Sequence, residues 1–417
     1  MTPFSALSLL RQGLTGQRGW TPQWRKPEPK SYYDAINVGG GGHGLGTAYY
    51  LAREHRLTNI AVLEKGWIGG GNTGRNTTVI RSNYLFPESA AIYDHALKLW
   101  EGLSQELNYN MMFSQRGVLM LVHSVHDAQV ARRHIHANHA AGVDNEWLTP
   151  EEARAFCPPL NNGDIRYPVV GAALQRRGGT ARHDAVAWGY ARAADARGVD
   201  LIQQCEVTGI RVDNGAIAGV ETTQGYIATG KVGLAVAGHS GRLAAMAGIR
   251  LPIESHTLQA LVSDPVKPVL NTVVTSGAVH FYISQSDKGE LVMGGDLDFC
   301  NSYTQRGNLP MIEHVVSACL SLFPSFGRLK VMRTWGGVCD MTMDGSPIIG
   351  VLPVKGLTMT GGWCYGGFKA TPASGWLHAY TIARGEPHRL NAAFTLERFA
   401  RGATIDEKGA GPTPWAH

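Results

Sequence analysis

The sequence predicts an α/β protein (α+β overall) in which a Rossmann-type domain, assembled from discontinuous segments, is joined to a second domain rich in β-sheet. The first observation is an apolar strand at residues 32–38 that runs into a glycine cluster, with a helical stretch and another apolar strand behind it. The second is a pair of later strands that end in glycines, at residues 231–243 and 356–375. The third is the strand-like character of intervening stretches such as residues 117–122 and 278–284. Strands alternating with helices predict a parallel sheet, and runs of strands predict a separate β-rich unit.

Composition places the chain among globular proteins. It has 417 residues, is 44% hydrophobic and 17% charged, and contains 52 Gly and 20 Pro. This apolar fraction excludes intrinsic disorder, the glycines lack the period of collagen, and no apolar stretch is long enough to cross a bilayer. A net charge of +5 without long basic runs argues against nucleic acid and suits an anionic ligand. We therefore expect a soluble protein with neither a nucleic acid nor a membrane as partner.

The cysteines and histidines do not form metal-binding patterns. The six cysteines are isolated, with no CxxC pair among them. This argues against a disulfide scaffold or a zinc ribbon and favours a reducing, cytoplasmic location. His134, His136 and His139 point to different faces of one predicted helix, so we expect no bound metal.

The glycine cluster has the spacing of a dinucleotide-binding fingerprint. Gly39, Gly41 and Gly44 fit GxGxxG between a strand and a helix, and Glu64 follows at the end of the next strand. The glycines permit a tight turn, close approach to a pyrophosphate and close helix packing, while the helix N-terminus attracts phosphates. Glu64 can accept hydrogen bonds from a ribose hydroxyl. An ordinary turn between strand and helix is the alternative interpretation.

The next stretch favours FAD over NAD as the dinucleotide. A second glycine-rich loop, residues 66–74, runs into small polar residues and two arginines, where an NAD dehydrogenase normally has a simple helical crossover. A second loop of backbone amides suits a longer ligand. The glycine-rich segment near the C-terminus, residues 356–375, supplies a third approach to the same ligand.

The scattered motifs predict a discontinuous domain organisation. We expect an N-terminal arm, a nucleotide domain in three pieces, a substrate domain in two pieces and a C-terminal tail. The predicted ranges are 1–30 for the arm, 31–84 with 171–249 and 331–400 for the FAD-binding domain, 85–170 with 250–330 for the substrate domain, and 401–417 for the tail.

Four motifs together resemble one enzyme family. They are GGGGHGLGTAYYLA, LEKGWIGGGNTGRNTTVIRSNY, RGGTARHDAVAW and GGFKATPASG. With them the chain resembles the β subunits of heterotetrameric sarcosine oxidases, within the FAD-dependent amine and D-amino-acid oxidases. The resemblance implies oxidative demethylation of sarcosine (N-methylglycine): a hydride passes to noncovalent FAD, and electrons pass on to a covalent FMN and to O2, giving hydrogen peroxide. The one-carbon unit leaves as formaldehyde or as methylene-tetrahydrofolate on a partner subunit.

The third motif is the most specific, because in the family its histidine carries the FMN. Here that residue is His183, and Ala185 replaces the second histidine that some relatives have. An imidazole can attack an activated flavin methyl group. Arg177 and Arg182 flank the site and could meet the FMN phosphate, or could be solvated surface charges.

The resemblance also implies a substrate and cofactor site. Lys369 and Arg81 match cations that meet the substrate carboxylate, and the FAD is expected to be noncovalent because Cys339 is out of register with the cysteine of the monomeric enzymes. The cofactor-binding residues expected are Gly39, Gly41, Gly42, His43, Gly44, Glu64, Lys65, Asn72, Thr73, Arg75, Asn76, Gly362, Gly366, Gly367, Phe368 and Lys369.

Partners follow from the resemblance alone. It implies α, γ and δ subunits that complete a heterotetramer, with NAD, folate and zinc bound on those chains only. Three alternatives stay open at this point: an FAD-only D-amino-acid or dimethylglycine-type dehydrogenase, a noncatalytic flavoprotein that relays electrons, and an NAD dehydrogenase.

Overall fold

The structure is a computed structural model that describes residues 5–18, 22–161, 166–298 and 300–407. Parts of two predicted segments, residues 1–4 and 19–21 of the arm and residues 408–417 of the tail, lie outside the described residues.

Helices and strands alternate through the first part of the chain and strands dominate the middle. The helices are α1 (Ala6–Leu14), α2 (Gly42–Glu54), α3 (Pro87–Glu106), α4 (Val125–Ala140), α5 (Pro150–Phe156), α6 (His183–Asp195), α7 (Ser240–Ala245), α8 (Leu309–Leu322), α9 (Gly367–Arg384) and α10 (Glu397–Ala400). The strands are β1 (Ala35–Val38), β2 (Ile60–Leu63), β3 (Val79–Ile80), β4 (Val118–Val122), β5 (Glu146–Leu148), β6 (Gly171–Gln175), β7 (Gly179–Thr180), β8 (Asp200–Ile202), β9 (Val207–Asp213), β10 (Ala216–Thr222), β11 (Gly225–Ala228), β12 (Val232–Leu234), β13 (Ile253–Pro265), β14 (Val273–Ser276), β15 (Phe281–Gln285), β16 (Glu290–Leu297), β17 (Val331–Thr342), β18 (Ile348–Val351) and β19 (Leu357–Gly361).

A six-stranded sheet forms the centre of the nucleotide side. Its order is β18-β19-β12-β1-β2-β8, and its pairs are parallel except the antiparallel β18–β19 edge. The residues of β1, β2, β8 and β12 are all buried, as expected for strands covered on both faces. Because these strands come from widely separated parts of the sequence, the predicted mixed α/β fold with a discontinuous nucleotide domain is confirmed.

An eight-stranded sheet forms the other half of the molecule. Its order is β17-β13-β16-β15-β14-β4-β6-β5, and α8 packs against it over a core that includes Phe281, Val315 and Phe323. Strands β6 and β17 belong to this sheet, although residues 171–249 and 331–400 were predicted to lie in the nucleotide domain. Strand β17 lies here because it pairs with β13 along nearly its whole length, from Ile253↔Thr342 to Ser263↔Val331. Strand β6 lies here because it pairs with β4 and β5.

Two close helix contacts hold the site's framework. The backbones of α2 and α9 approach so closely that a Cβ on Gly375 would lie 2.7 Å from the carbonyl carbon of Gly46. Helix α3 also joins this core through Leu97, Trp100 and Leu103, although residues 85–170 were predicted to lie in the substrate domain. The start of α9 is therefore fixed from two sides.

A buried ion pair closes the C-terminal part of the described chain. The guanidinium of Arg398 donates two hydrogen bonds to the carboxylate of Asp344, at 2.8 and 3.0 Å, and both side chains are about 2% exposed. Asp344 also accepts from the backbone of Ser346 and Ile405. Asp344 is therefore structural.

No helix within the described ranges is long and apolar enough to cross a membrane.

Candidate active site

A deep cleft lies at the carboxyl ends of β1, β2 and β12, where parallel sheets commonly bind ligands. The glycine loop between β1 and α2 forms one wall. Gly39 has φ +109°, and a Cβ there would lie 2.3 Å from the carbonyl oxygen of Ala235. A Cβ on Gly44 would lie 1.9 Å from the carbonyl oxygen of Gly39. Neither position has room for a side chain, which is what a backbone cradle for a pyrophosphate requires.

Asn37, a polar residue in the middle of buried strand β1, supports this loop. Its Nδ2 donates to the carbonyl oxygen of Gly39 at 3.4 Å, and a Cβ on Gly44 would come within 2.5 Å of the same nitrogen. An aliphatic side chain at position 37 could not make this bond. The polar residue therefore belongs to the loop's architecture.

Glu64 stands where a ribose would be recognised. One carboxylate oxygen accepts from the backbone N–H of Gly40 and the other from that of Gly66, each at 2.8 Å. Each oxygen keeps a further lone pair for a hydroxyl donor. Next to it the Nζ of Lys65 lies 2.8 Å from Nε2 of His239, and both residues line the cleft.

The second glycine-rich loop is hydrogen-bonded to two other parts of the chain that line the cleft. The side chain of Asn72 pairs with the backbone of Val338, donating at 2.5 Å and accepting at 2.9 Å. Oγ1 of Thr73 accepts from the backbone N–H of Gly42 at 2.9 Å, so the two glycine loops touch. Asn72, Thr73, Arg75 and Asn76 all line the cleft.

Arg75 is turned toward its own loop. Its Nη1 donates to the carbonyl oxygens of Gly70 and Gly71, and burial lowers its pKa. The carbonyl of Arg75 in turn accepts from the indole of Trp335 at 2.8 Å. The side chain therefore stabilises the loop from within.

His43 joins the first glycine loop to the C-terminal glycine segment. Its Nε2 donates to the carbonyl oxygen of Gly367 at 2.7 Å, and its Nδ1 accepts from the hydroxyl of Ser374 at 2.6 Å. Burial lowers the pKa of His43 to about 4, so the ring is neutral near pH 7. Its function is to position the start of α9.

The C-terminal glycine segment forms the opposite wall. Gly362 has φ +69°, and a Cβ on Gly366 would lie 1.8 Å from the hydroxyl of Tyr93. Gly367 and Phe368 line the cleft at the start of α9, together with Trp363.

One cleft includes Glu64, residues of both glycine loops and Tyr365 among its lining residues. Such a cleft fits a long dinucleotide, because Glu64 and the glycine loops could hold its ribose and pyrophosphate. We call the part lined by Trp363, Cys339 and Tyr365 the ring end, since it could take the ring of such a ligand. Cys339 is buried, and burial raises its pKa, so its thiol stays protonated.

Lys369 lies just beyond the ring end of the cleft. Its Nζ donates to the carbonyl oxygen of Tyr365 at 2.8 Å and its side chain is 7% exposed. Burial, reinforced by the positive charge of Arg81, lowers the pKa of Lys369 to about 7. The two predicted cations thus interact electrostatically, although neither is a lining residue of the cleft itself.

Arg81 is held by neutral partners. Its Nη1 donates to the backbone and side-chain oxygens of Asn83 at 3.0 and 2.9 Å, and its guanidinium lies 4.4 Å from the ring centre of Tyr84. Within the described part of the chain, no ion pair joins Arg81 or Lys369 to a carboxylate. Glu407 is close enough to Arg81 to interact electrostatically, but burial raises its pKa and its carboxylate accepts from Phe86.

Sequence reasoning missed several lining residues. Tyr282, Val338, Asp340 and Trp363 contribute to the cleft from β15, β17 and the turn before α9. Asp340 accepts from the backbone N–H of Gly362 at 2.6 Å, and burial raises its pKa to about 6. These residues come close to the glycine loops only in the folded chain, and no sequence motif or spacing predicts that they line the cleft.

His183 lies on the other side of the second glycine-rich loop. It is the first residue of α6, it is half-buried, and its Nε2 donates to the carbonyl oxygen of Gly74 at 3.1 Å. Burial lowers the pKa of His183. Because a carbonyl can only accept, the proton is on Nε2 and the lone pair is on Nδ1.

The two arginines predicted near His183 already have carboxylate partners. Arg182 forms two hydrogen bonds to Asp184, at 2.9 and 3.1 Å, and Arg177 forms two to Glu101, both at 2.9 Å. A phosphate would have to share or replace these partners. Among the described residues, no group of three or more His, Cys, Asp or Glu side chains is arranged to hold a metal ion.

Comparison with known proteins now defines the family. Residues 34–381 match the family described as FAD dependent oxidoreductase. The chain is 58% identical to sarcosine oxidase subunit beta of Rhizobium meliloti (strain 1021), covering 99% of this chain and 100% of the relative. It is 57% identical to sarcosine oxidase subunit beta of Arthrobacter sp, covering 93% of this chain and 96% of the relative.

Solved structures agree on the fold. L-proline dehydrogenase from P. horikoshii superposes with a TM-score of 0.84 at 28% identity, covering 90% of this chain and 99% of that one. Glycine oxidase from Geobacillus kaustophilus gives a TM-score of 0.80 at 23% identity, covering 88% and 99%, and shows the fold alone. The chain therefore belongs to the FAD-dependent oxidoreductases and, within them, to the family of sarcosine oxidase β subunits.

Proposed function

We propose that this chain oxidises the N-methyl group of sarcosine, with FAD in the cleft as the hydride acceptor and an FMN on His183 passing the electrons to O2 to give hydrogen peroxide. The naming of the close relatives supports the substrate class. The observation that carries the proposal is the pair of cations near the ring end of the cleft, Arg81 and Lys369, neither of which forms an ion pair with a carboxylate within the described residues.

The two cations suit an amino-acid carboxylate. The Arg81 guanidinium can form two parallel hydrogen bonds to it, and Lys369 adds a point charge from the first turn of α9. Burial, and after it repulsion by Arg81, lowers the pKa of Lys369, and an anion placed between the two cations offsets that repulsion. Binding of a carboxylate is therefore coupled to protonation of the lysine.

The same anchoring orients the rest of the substrate. A carboxylate held at Lys369 would leave the amine and its methyl group on the side of the cleft, which Tyr365 and Tyr282 line. Burial raises the pKa of both tyrosines, so both hydroxyls remain protonated. No strong base is needed if the substrate binds with a neutral amine, and the pocket's positive charge favours that form.

The state of His183 supports its role as the FMN attachment site. Burial lowers the pKa of the imidazole, which favours its neutral form, and the donor bond from Nε2 to Gly74 leaves the Nδ1 lone pair available for attack on a flavin methyl group. Gly74 lies between two residues that line the FAD cleft, Thr73 and Arg75. An FMN on His183 would thus be separated from the cleft by a single loop. Arg182 and Arg177 remain our candidates for its phosphate.

The subunit naming of the relatives supports membership in a multisubunit enzyme. We propose a heterotetramer in the cytoplasm with α, γ and δ chains that carry NAD, folate and zinc. In this assembly the one-carbon unit leaves as formaldehyde or passes to tetrahydrofolate on a partner.

Anaerobic titration with sarcosine tests the catalytic proposal. The purified holoprotein should lose its flavin absorbance on addition of sarcosine, whereas Lys369→Met should require far more sarcosine. Lys355→Met, which removes an exposed lysine, is the matched control and should behave as the wild type. A protein that keeps its flavin absorbance with sarcosine would be an electron relay and not the oxidase.

Peptide mapping of acid-denatured protein tests the FMN attachment. The peptide that contains His183 should carry an FMN adduct, and His183→Ala should lack it while retaining FAD. An unmodified wild-type peptide, with FAD alone in the supernatant, would contradict the two-flavin proposal and leave an FAD-only dehydrogenase.

A further inference from the structure

Helix α8 has an apolar arc that is wider than the face it buries. Its inner face buries Val315, Cys319 and Leu322 in the core of the eight-stranded sheet. Its polar face is formed by Glu313, Ser317 and Ser321. Between these two faces runs a second apolar stripe with helical spacing, formed by Leu309, Ile312, Val316 and Leu320.

This second stripe is partly open to solvent. Leu309 is 66% exposed and Leu320 is 40% exposed, while Ile312 and Val316 are half-buried and pack against the core. A shallow depression along the helix is lined by Ile312, Val316 and Leu320 together with the polar residues Glu313, Ser317 and Ser321.

The stripe continues onto the edge of the sheet. Strand β17 is the edge strand, and its first two residues, Val331 and Met332, are 49% and 60% exposed. Gly307 connects the two elements, since a Cβ there would lie 3.0 Å from Cδ1 of Ile312 and 2.6 Å from Oγ1 of Thr334. We call the set Leu309, Ile312, Val316, Leu320, Val331 and Met332 the α8 surface. An exposed apolar edge next to an apolar helix is typical of a protein interface.

The exposed charges around the α8 surface are mostly positive. Its surroundings include four exposed cations, Arg306, Arg328, Lys330 and Arg333, and one exposed carboxylate on α8, Glu313. A further carboxylate, that of the half-buried Asp264, accepts from the backbone N–H of Lys330 at 3.0 Å. Within the part of the chain that the structure describes, none of these four cations forms an ion pair. A partner that covers the apolar stripe would therefore gain by placing carboxylates opposite them.

The same charges decide against a second copy of this chain. In a two-fold symmetric dimer the α8 surface would face itself, so cations would lie opposite cations. We propose that the α8 surface is the docking site of a different protein chain, one whose contact surface is apolar with an acidic rim. This inference rests on the proposed membership in a multisubunit enzyme and names the face through which a partner subunit binds.

The test uses the complex purified from cells that produce the chain together with its own partner subunits. The double variant Val316→Asp/Leu320→Asp places two carboxylates in the apolar stripe. Val125→Asp is the matched control, because Val125 is 76% exposed and begins α4, which packs at the far end of the same sheet.

Native mass spectrometry and bound-FAD absorbance then give the outcome. We expect Val125→Asp to remain in the complex, and the double variant to bind FAD but to associate on the order of 100-fold more weakly. The charge reversal Arg328→Glu/Arg333→Glu should weaken association about tenfold and reduce its salt dependence. If the double aspartate variant fails to bind FAD, the test rests on the charge-reversal variant Arg328→Glu/Arg333→Glu, because both of its residues are exposed.

Three results would overturn the proposal: a double variant that stays in the complex at wild-type stoichiometry, a wild-type chain recovered with no other chain, or a homodimer that the aspartates dissociate. Reduction of the bound flavin by sarcosine is measured on the same samples. If sarcosine does not reduce the flavin of the wild-type complex, the proposed activity is contradicted, whereas the docking result still stands.

Discussion

The substitution Lys369→Met tests whether the lysine near the ring end of the cleft binds a carboxylate. Lys369 is 7% exposed, its Nζ donates to the carbonyl of Tyr365, and burial together with Arg81 lowers its pKa to about 7. Methionine keeps much of the side-chain volume and removes the charge. The backbone carbonyl of residue 369, which accepts from the indole of Trp100, is unaffected.

The expected magnitude depends on pH. A hydrogen bond to a charged group contributes about 1.5–3 kcal/mol, which corresponds to an affinity change of about 10- to 150-fold. In the wild type the protonated lysine dominates below pH 7, so carboxylate affinity is highest there. As the pH rises above about 7 the lysine loses its proton, and the affinity should fall to a plateau set by Arg81 alone. The variant should sit on that plateau at every pH.

Acetate binding measures this effect without the substrate amine. Acetate has a carboxylate and no group that titrates between pH 6 and about 9, so the pH dependence of its dissociation constant reports on the protein. The change in flavin absorbance on binding gives that constant for the wild type, Lys369→Met and the control Lys355→Met.

Two outcomes would refute the reasoning. A wild-type affinity independent of pH between 6 and about 9 would mean that Lys369 does not change protonation in contact with the ligand. A Lys369→Met protein that binds acetate like the wild type at pH 6 would remove the lysine from carboxylate recognition.

Three further predictions concern cofactor binding and stability. Gly44→Ala should abolish FAD binding, because its Cβ would lie 1.9 Å from a carbonyl oxygen of the same loop, whereas Gly102→Ala on α3 meets no atom within 4 Å and should keep FAD, as read by absorbance. Arg398→Met leaves its buried carboxylate partner unpaired and should lower the free energy of unfolding, measured by urea titration, by about 3–5 kcal/mol. The control Arg401→Met, which breaks an exposed ion pair, should lower it by at most about 0.5 kcal/mol. Equal losses in the two variants would contradict this prediction. Burial raises the pKa of Asp340 from 3.8 to about 6, so the folded state binds the proton more tightly and the free energy of unfolding falls as the pH rises from about 4 to 6. Asp340→Asn should remove most of that fall, which is about 3 kcal/mol. An unchanged pH profile of stability in the variant would refute the assignment.

The sequence was informative where function depends on local backbone geometry. The GxGxxG spacing predicted a turn that excludes side chains, and the clash distances at Gly39 and Gly44 show why. Glu64 was predictable for the same reason, because its place follows from the length of one strand–helix–strand unit. The mixed fold and its discontinuous nucleotide domain followed from the same local signals.

The rest of the site depends on contacts between distant segments. Strand β17 was assigned to the nucleotide domain because it lies near the last glycine motif, yet its partner is β13. Asn37 could not be explained from the sequence, since its partner is a carbonyl that comes near only when the loop is folded. Tyr282 and Asp340 enter the cleft from strands whose pairing no short pattern predicts.

The second glycine-rich loop, residues 66–74, joins three parts of the chain that lie far apart in the sequence. Asn72 pairs with Val338 on β17, Thr73 accepts from Gly42 in the first glycine loop, and the carbonyl of Gly74 accepts from His183 at the start of α6. The same short segment therefore touches the cleft on one side and the proposed attachment site of the second flavin on the other. In the proposed two-flavin enzyme, this loop would hold the two flavin sites at a fixed spacing, so that neither could shift without the other.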